Sequence, residues 1–343
     1  MKRKMLVILS LLLLVVSGCK KVESEETLER FQASYLTLFD TVTSMVGYAE
    51  NEEEFRCVAT DIHDQMLEYH QLYDIYNDYE GINNIKTIND NAGVSPVVVD
   101  RKIIDMLLFC KEMYTLSGGK VNVAMGSVLS IWHDYRTEGI EDPECAELPS
   151  MEELLKANEH CDINCVIIDE EASTVYLRDS KMSLDVGAIA KGYATECVTR
   201  GVDASLLLSV GGNVSSSRAK PNGSSWVVGL QDPFSESGSY SHTVYLNKGA
   251  VVTSGDYQRS YVVDGEAYHH IIDPETLMPG TRWKAVSVIA KDSAVADALS
   301  TSLFLMDIKE GEELLKHFDA EAMWTDKEGN EYFSNGFQSL MRT

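Results

Sequence analysis

The chain has 343 residues, 54 acidic side chains against 29 basic ones, and a formal charge of −25. A surface that acidic repels phosphate backbones and argues against nucleic acid as a partner. Any phosphorylated ligand would need local help from a lysine, a helix N-terminus or a divalent cation.

From the start of the chain, Lys2, Arg3 and Lys4 precede an uncharged run of 12 residues, Met5 to Val16, followed by Ser17, Gly18 and Cys19. Spanning a bilayer as a helix takes roughly 20 residues, so this run reads as an export signal. Val16-Ser17-Gly18-Cys19 fits a bacterial lipobox, with Cys19 lipidated after removal of residues 1–18. The expected location is the cell membrane, lipid-anchored on its extracytoplasmic face. Losing three positive charges with the leader takes the charge from −25 to −28. Residues 19–34 are polar and read as a tether. The remaining six cysteines are scattered, and His160, Cys161 and Cys165 lack the spacing of a zinc site. Buried free thiols are the expectation for most of them.

Phe55, Ala59, Ile62, Met66, Tyr69 and Tyr73 recur at helical spacing and predict a helix with one apolar stripe. Residues 97–99 (Val-Val-Val) predict a short buried strand, followed by a helix from Arg101 to Leu116. The stretch 138–150, with Gly139, Pro143 and Pro149, predicts a loop that marks a subdomain boundary or a surface excursion. Strands are expected at 165–169, 174–178, 205–210, 226–230, 243–246 and 257–263, with Asp264-Gly265 as a hairpin turn. Helices are expected at 293–306 and 309–317, closing the chain. The mixture is α+β, not a regular βαβ alternation.

Certain segments carry chemistry. Residues 183–193 (SLDVGAIAKGY) read as a strand, a small-residue turn and a helix from about 189 to 200, whose N-terminus and Lys191 suit an anion. The pattern is neither a P-loop nor a dinucleotide fingerprint, and a plain turn with a solvated lysine reads equally well. Residues 206–213 (LLLSVGGN) read as a strand ending either in a turn or against a ligand. In residues 252–257 (VTSGDY) and 268–276 (YHHIIDPET), histidines stand among Ser254, Asp256 and Asp273. Histidine titrates near neutrality and can exchange a proton, although a structural histidine is equally plausible. In residues 296–301 (ADALST), Asp297 and Thr301 share a helix face, giving two hard oxygens that suit Mg²⁺, although an aspartate near a helix start with a buried threonine is the more common situation.

These segments, in this order, resemble the ApbE family, the FAD:protein FMN transferases also called thiamine-biosynthesis lipoproteins. The family's D-x-G-[GA]-I-A-K-G is matched by Asp185 to Gly192, and its L-x-x-x-G-G by Leu207 to Gly212. Its T-S-G-D-Y, H-I-I-D-P and A-D-A-L-[AS]-T are matched at residues 253–257, 270–274 and 296–301. Phe39-Asp40-Thr41 stands where many members have M-G-T, and residues 88–93 resemble I-N-x-x-A-G. The resemblance implies one transferase domain over residues 35–343, built of mixed sheets with packed helices, with the FAD site between two subdomains. It implies transfer of FMN from FAD, as substrate, to a threonine or serine hydroxyl of an acceptor protein, releasing AMP. Asp297, Thr301 and the Ala188 carbonyl would hold Mg²⁺, while Asp185 and Lys191 would contact the FAD. Phe39, Tyr76, Lys120, Val121, Asn122 and Ile272 would line the flavin or adenine pocket, and His270 would be the base. Phe39-Asp40 and Lys120-Val121-Asn122 depart from the family pattern. The implied acceptor is a subunit of a membrane redox complex or a secreted flavin reductase. Hydrolysis of FAD to FMN and AMP by the same site, or a non-catalytic flavin- or solute-binding lipoprotein, are the alternatives.

Overall fold

The computed structural model describes residues 28–342 apart from 236 and 258. The leader, Cys19 and most of the tether lie outside the described residues. The chain opens with a hairpin, β1 (Glu29–Leu38) and β2 (Thr41–Ala49), so a strand takes in the last part of the stretch read as tether. β1 is an edge strand with one face in solvent, and its polar alternation disguised it.

The helix α1 (Glu52–Tyr73) follows. The Asn51 side chain accepts the Glu54 N–H and three glutamates complement the dipole of the first turn. Its apolar stripe is buried as the spacing required. Next come α2 (Ile85–Asp90), β3 (Val97–Val98) and α3 (Arg101–Leu116). Val97 and Val99 are buried, but Val98 between them faces outward, because β3 packs on one face only.

The expected loop at 138–150 is shorter than predicted: α4 (Gly126–Glu141) runs into it, and α5 (Met151–Asn158) follows directly. Gly139 suits a helix here because its bare Cα packs against the Tyr261 ring. Then follow β4 (Val166–Asp169), β5 (Thr174–Leu177), α6 (Ala190–Arg200), β6 (Leu206–Val210) and β7 (Asn213–Ser216). Four strands come next, β8 (Trp226–Gln231), β9 (Tyr240–Leu246), β10 (Gly249–Gly255) and β11 (Ser260–Val263). β12 (Glu266–His269) pairs with β11 across the expected Asp264-Gly265 turn, both residues having positive φ. After β13 (Trp283–Ala290), α7 (Ser293–Phe304) and α8 (Ile308–Leu315), the chain ends in β14 (Ala320–Asp326), β15 (Glu331–Phe333) and α9 (Phe337–Leu340). The two helices that the sequence put last, α7 and α8, are therefore followed by two strands and a short helix.

The main sheet has eight strands in the order β1-β2-β6-β7-β10-β13-β14-β15. The expected α+β class holds, and every pairing between described strands is antiparallel. One face carries α1, α6 and α7 over the principal core. The other is covered by the β8–β9 hairpin and α9, through Trp226, Val244, Ile289 and Phe337. A smaller core, with Val128, Trp132, Leu154, Tyr261 and Ile272, is built by α4, α5, the β11–β12 hairpin and the loop after it. The pocket lies at the seam between this core and the principal one. No helix among the described residues is long and apolar enough to cross a membrane.

Candidate active site

The pocket has a volume of about 280 Å³. Phe39, Tyr76, Lys120, Val121, Asn122, Asp185, Ala188, Lys191, His270, Ile272, Asp297 and Thr301 all line it. Residues spread over more than two hundred positions of sequence are thus brought together.

The inner wall is made where α6 meets α7. Asp297 is only 5% exposed. Its Oδ2 accepts the Gly192 N–H at 2.8 Å and the Asn213 side-chain amide at 2.9 Å. Gly192 has to be glycine here, since a Cβ would run into the Asp297 side chain and the Ser293 carbonyl. The helix N-terminus expected to offer amides to an anion is therefore partly engaged by protein, because Ala190 N–H also donates, to Val186 O at 2.8 Å. What it does instead is hold a carboxylate at the positive end of its dipole. Burial raises the pKa of Asp297, and the Lys191 charge and the two hydrogen bonds oppose that.

Asn213 is aimed by the turn before it. Gly211 and Gly212 both have positive φ and close the two-residue β6–β7 hairpin. A Cβ on Gly211 would also meet Thr41 Oγ1 at 2.7 Å. The two glycines therefore form the turn of one reading, and Gly211 also lines the pocket.

Thr301 lies one helical turn beyond Asp297. Ser254 of β10 bonds Ser300 Oγ at 2.8 Å and approaches Thr301 Oγ1 at 3.5 Å. Asp256 pairs with Lys284 at 2.8 Å, and Asp273 with Lys120 at 3.2 Å. Neither carboxylate lines the pocket, so of the companions that raised interest in the histidines only Ser254 does.

The two adjacent histidines have different tasks. His269 is buried, its Nε2 bonds Gly280 O at 2.7 Å, and its Nδ1 accepts the Ile271 N–H at 3.2 Å. Those contacts fix it as structural. His270 faces the pocket, where burial, together with the charges of Arg259, Lys191, His269 and Arg136, lowers its pKa to about 3. The imidazole is neutral at pH 7 and can accept a proton.

The outer wall is looser. Tyr76 is 55% exposed and its ring lies 5.5 Å from that of His133. His133 Nδ1 accepts from Arg136 at 2.8 Å. Lys120 lines the pocket, but its ammonium is held by Asp273 and by Glu275 at 2.9 Å. Asn122 caps the turn at residues 123–125 and donates to Cys161 O at 3.0 Å, so its side chain is structural as well. Lys191 Nζ donates to Gly187 O at 3.2 Å, and Asp185 Oδ1 accepts the Gly187 N–H at 2.8 Å.

Sequence reasoning gave no role to Asn213 and missed Arg136, Arg259, His70 and Asp74, all of which line the pocket. A signal existed for Arg136. On this acidic chain Arg101 and Arg200 pair with carboxylates four residues away, whereas Arg136 has none at three or four residues. Arg136 and Arg259 make no ion pair with a carboxylate among the described residues, and burial and the Arg259 charge lower the pKa of Arg136. Two such cations in an acidic protein mark a place for an anion.

The chemistry of the donors suits magnesium: a buried carboxylate with one oxygen engaged and a hydroxyl one helical turn away, in a pocket that Ala188 also lines. Among the described residues there is no group of three or more His, Cys, Asp or Glu side chains arranged for a metal. His160 bonds Asp179 at 2.6 Å instead, and the six described cysteines are all free, with Cys57 and Cys145 exposed.

The sequence pattern of the ApbE family matches residues 39–324. The chain belongs to the ApbE family. A Klebsiella pneumoniae protein named FAD:protein FMN transferase is 30% identical over 278 residues, 77% of this chain and 84% of that one. A Treponema pallidum protein of the same name is 32% identical over 265 residues, 71% of each chain. The crystal structure of the ApbE protein from Thermotoga maritima superposes with a TM-score of 0.81 at 27% identity, covering 92% of this chain and all of that one. The flavin transferase ApbE from Vibrio cholerae shares the fold, with a TM-score of 0.75 at 21% identity over 92% of this chain and 100% of that one.

Proposed function

We propose that this protein transfers FMN from FAD to a threonine or serine hydroxyl of an acceptor protein, releasing AMP. The observation that carries the reading is the convergence, in one pocket of an ApbE-family chain, of the buried Asp297 carboxylate with Thr301, the neutral His270 and an array of cations. The relatives named FAD:protein FMN transferase support the choice of reaction.

The acceptor hydroxyl attacks the phosphorus on the FMN side of the pyrophosphate, and its proton passes to a ring nitrogen of His270. The bond to the AMP phosphate breaks, and that phosphate leaves with the electron pair. A positioned base of this kind contributes typically about 10²–10⁴-fold. Lys191, Arg136 and Arg259 reduce the repulsion between the pyrophosphate and an acidic protein and so favour its binding. Phe39 and Tyr76 offer ring surfaces to the flavin. Mg²⁺, held by Asp297, Thr301 and the Ala188 carbonyl, would supply charge neutralisation at the phosphate oxygens.

Lipidation at Cys19 would tether the enzyme to the extracytoplasmic face of the membrane. The acceptors that fit such a place are a subunit of a membrane redox complex or a secreted flavin reductase.

The test uses protein from residue 20 onward with FAD, Mg²⁺ and a candidate acceptor, run on a denaturing gel and viewed for flavin fluorescence. A fluorescent acceptor band accompanied by AMP, and lost on chelation, is the expected result. FMN and AMP formed at the same rate across a panel of acceptors, with no labelled band, would replace transfer by hydrolysis.

A further inference from the structure

The pocket mouth contains a turn that its sequence does not favour. Leu38 pairs with Thr41, so the β1–β2 hairpin has a two-residue loop made of Phe39 and Asp40. Both have positive φ, at 51° and 52°. Such a loop calls for glycine, asparagine or aspartate, and an aromatic at its first position is out of type. Something outside the hairpin has to hold it.

The Phe39 N–H donates to His70 Nδ1 at 3.3 Å, and the two rings meet edge to face at 5.5 Å. With Nδ1 accepting, the neutral ring carries its proton on Nε2, which faces Tyr79 Oη at 3.4 Å. The Tyr79 hydroxyl in turn donates to Asp74 Oδ2 at 2.7 Å. The donations thus run in one direction, from Phe39 through His70 and Tyr79 to Asp74. The other oxygen of the same carboxylate, Oδ1, accepts the Tyr76 N–H at 2.6 Å. One buried aspartate therefore reaches both aromatic residues of the mouth, Tyr76 directly and Phe39 through two side chains.

We propose that Asp74, Tyr79 and His70 form one positioning network that sets Phe39 and Tyr76 for the flavin ring of the substrate. None of the three is needed at the reacting phosphorus, so their effect falls on substrate affinity and not on the chemical step. Burial, then the Asp74 hydrogen bond, raises the Tyr79 pKa to about 12, so the hydroxyl remains a donor at any working pH. At Asp74 burial acts the other way, but the hydrogen bonds from Asn77, Tyr76 and Tyr79 prevail and lower its pKa, keeping it an acceptor. The inference rests on the flavin-transfer reading for the identity of the ligand, but not for the network itself.

The experiment therefore has a ligand-free arm and a ligand arm. Tyr79→Phe removes one hydroxyl, and His70→Phe keeps a ring while removing the acceptor of the Phe39 N–H. In the protein without FAD, amide hydrogen exchange at Phe39 should quicken by about tenfold or more in both variants. With FAD, the dissociation constant read from flavin fluorescence should rise roughly fivefold in each, with kcat at saturating FAD within about twofold of wild type. The double variant should lose little more than either single one, because both cut the same chain. Asp40→Gly, which eases the left-handed turn, should recover FAD affinity in the His70→Phe background. Unchanged exchange at Phe39 overturns the network whatever the ligand does. Faster exchange with unchanged FAD affinity, or fully multiplicative losses in the double variant, overturns the positioning role. A wild-type protein that binds no FAD overturns the transferase reading and the positioning role together, whereas the exchange arm still decides the network.

Discussion

The inner wall of the pocket is made by side chains that face one another across the α6–α7 contact, whereas its mouth is made by a hairpin turn and loops drawn from distant parts of the chain. Inside, Gly192, Asn213 and Asp297 are buried and bonded directly, and a single added carbon on Gly192 would collide. Outside, Tyr76 is more than half exposed, and Arg136 and Arg259 stand without carboxylate partners among the described residues. The inner wall is closely packed and holds Asp297, the carboxylate proposed to bind the metal. The outer wall is cationic and aromatic, suited to gripping a phosphorylated ring system. The difference assigns chemistry to one wall and substrate affinity to the other.

Substitution at Asp297 is the hardest test of that division. Asp297→Asn should keep the fold and FAD binding but reduce Mg²⁺-dependent transfer by about a thousandfold or more, measured as AMP release. Its melting temperature should also stop responding to Mg²⁺. His270→Ala should lower kcat by about a hundredfold or more with FAD affinity retained. Equal loss of both would make His270 structural, like its neighbour His269.

The pH profile sharpens the same point. The His270 pKa is lowered, so its neutral form persists as pH falls. kcat/KM, which reports the free enzyme, should show no acid limb near 6.5 from this residue down to about pH 5. On the outer wall, Tyr76→Ala and Arg259→Met should raise KM for FAD by roughly tenfold each with kcat nearly unchanged. A fall in kcat without a change in KM would move these residues to the inner wall's task. Gly192→Ala should destabilise the protein by about 1–3 kcal/mol through overpacking, read as a lower melting temperature, and should lower kcat too, because the added carbon pushes on Asp297.

The two walls also differ in how far the sequence disclosed them. Asp297 and Thr301 could be paired from the sequence because helix spacing puts them on one face, whereas the reason for Gly192, its packing against Asp297, shows only in the fold. The helices α1 and α3 were legible from their periodicity, to the residue in the case of α3. β13 was not, since it is buried on both faces: Val286 and Val288 enter one core and Ile289 another, which erases the alternation that marks a strand. β1 was taken for a tether because an exposed edge strand is polar on one side. At the mouth, Phe39, Tyr76, Lys120, Val121, Asn122 and Ile272 were reached only through the family resemblance. Periodicity does not say which loops meet, and Lys120 and Asn122 turned out to have protein partners of their own. Arg259 escaped altogether, and Arg136 was passed over although it has no carboxylate three or four residues away. That neither finds a partner carboxylate elsewhere among the described residues can be seen only once the chain is folded.

The most direct test is a single-turnover experiment. Wild-type protein and Asp297→Asn are loaded with FAD, mixed with Mg²⁺ and acceptor, and followed for AMP and for flavin bound to the acceptor. The expected result is a wild-type burst in which AMP and acceptor-bound FMN appear in equal amounts, and an Asp297→Asn protein that holds FAD but releases neither. Release of AMP by Asp297→Asn at the wild-type rate would contradict the assignment of the chemistry to the inner wall.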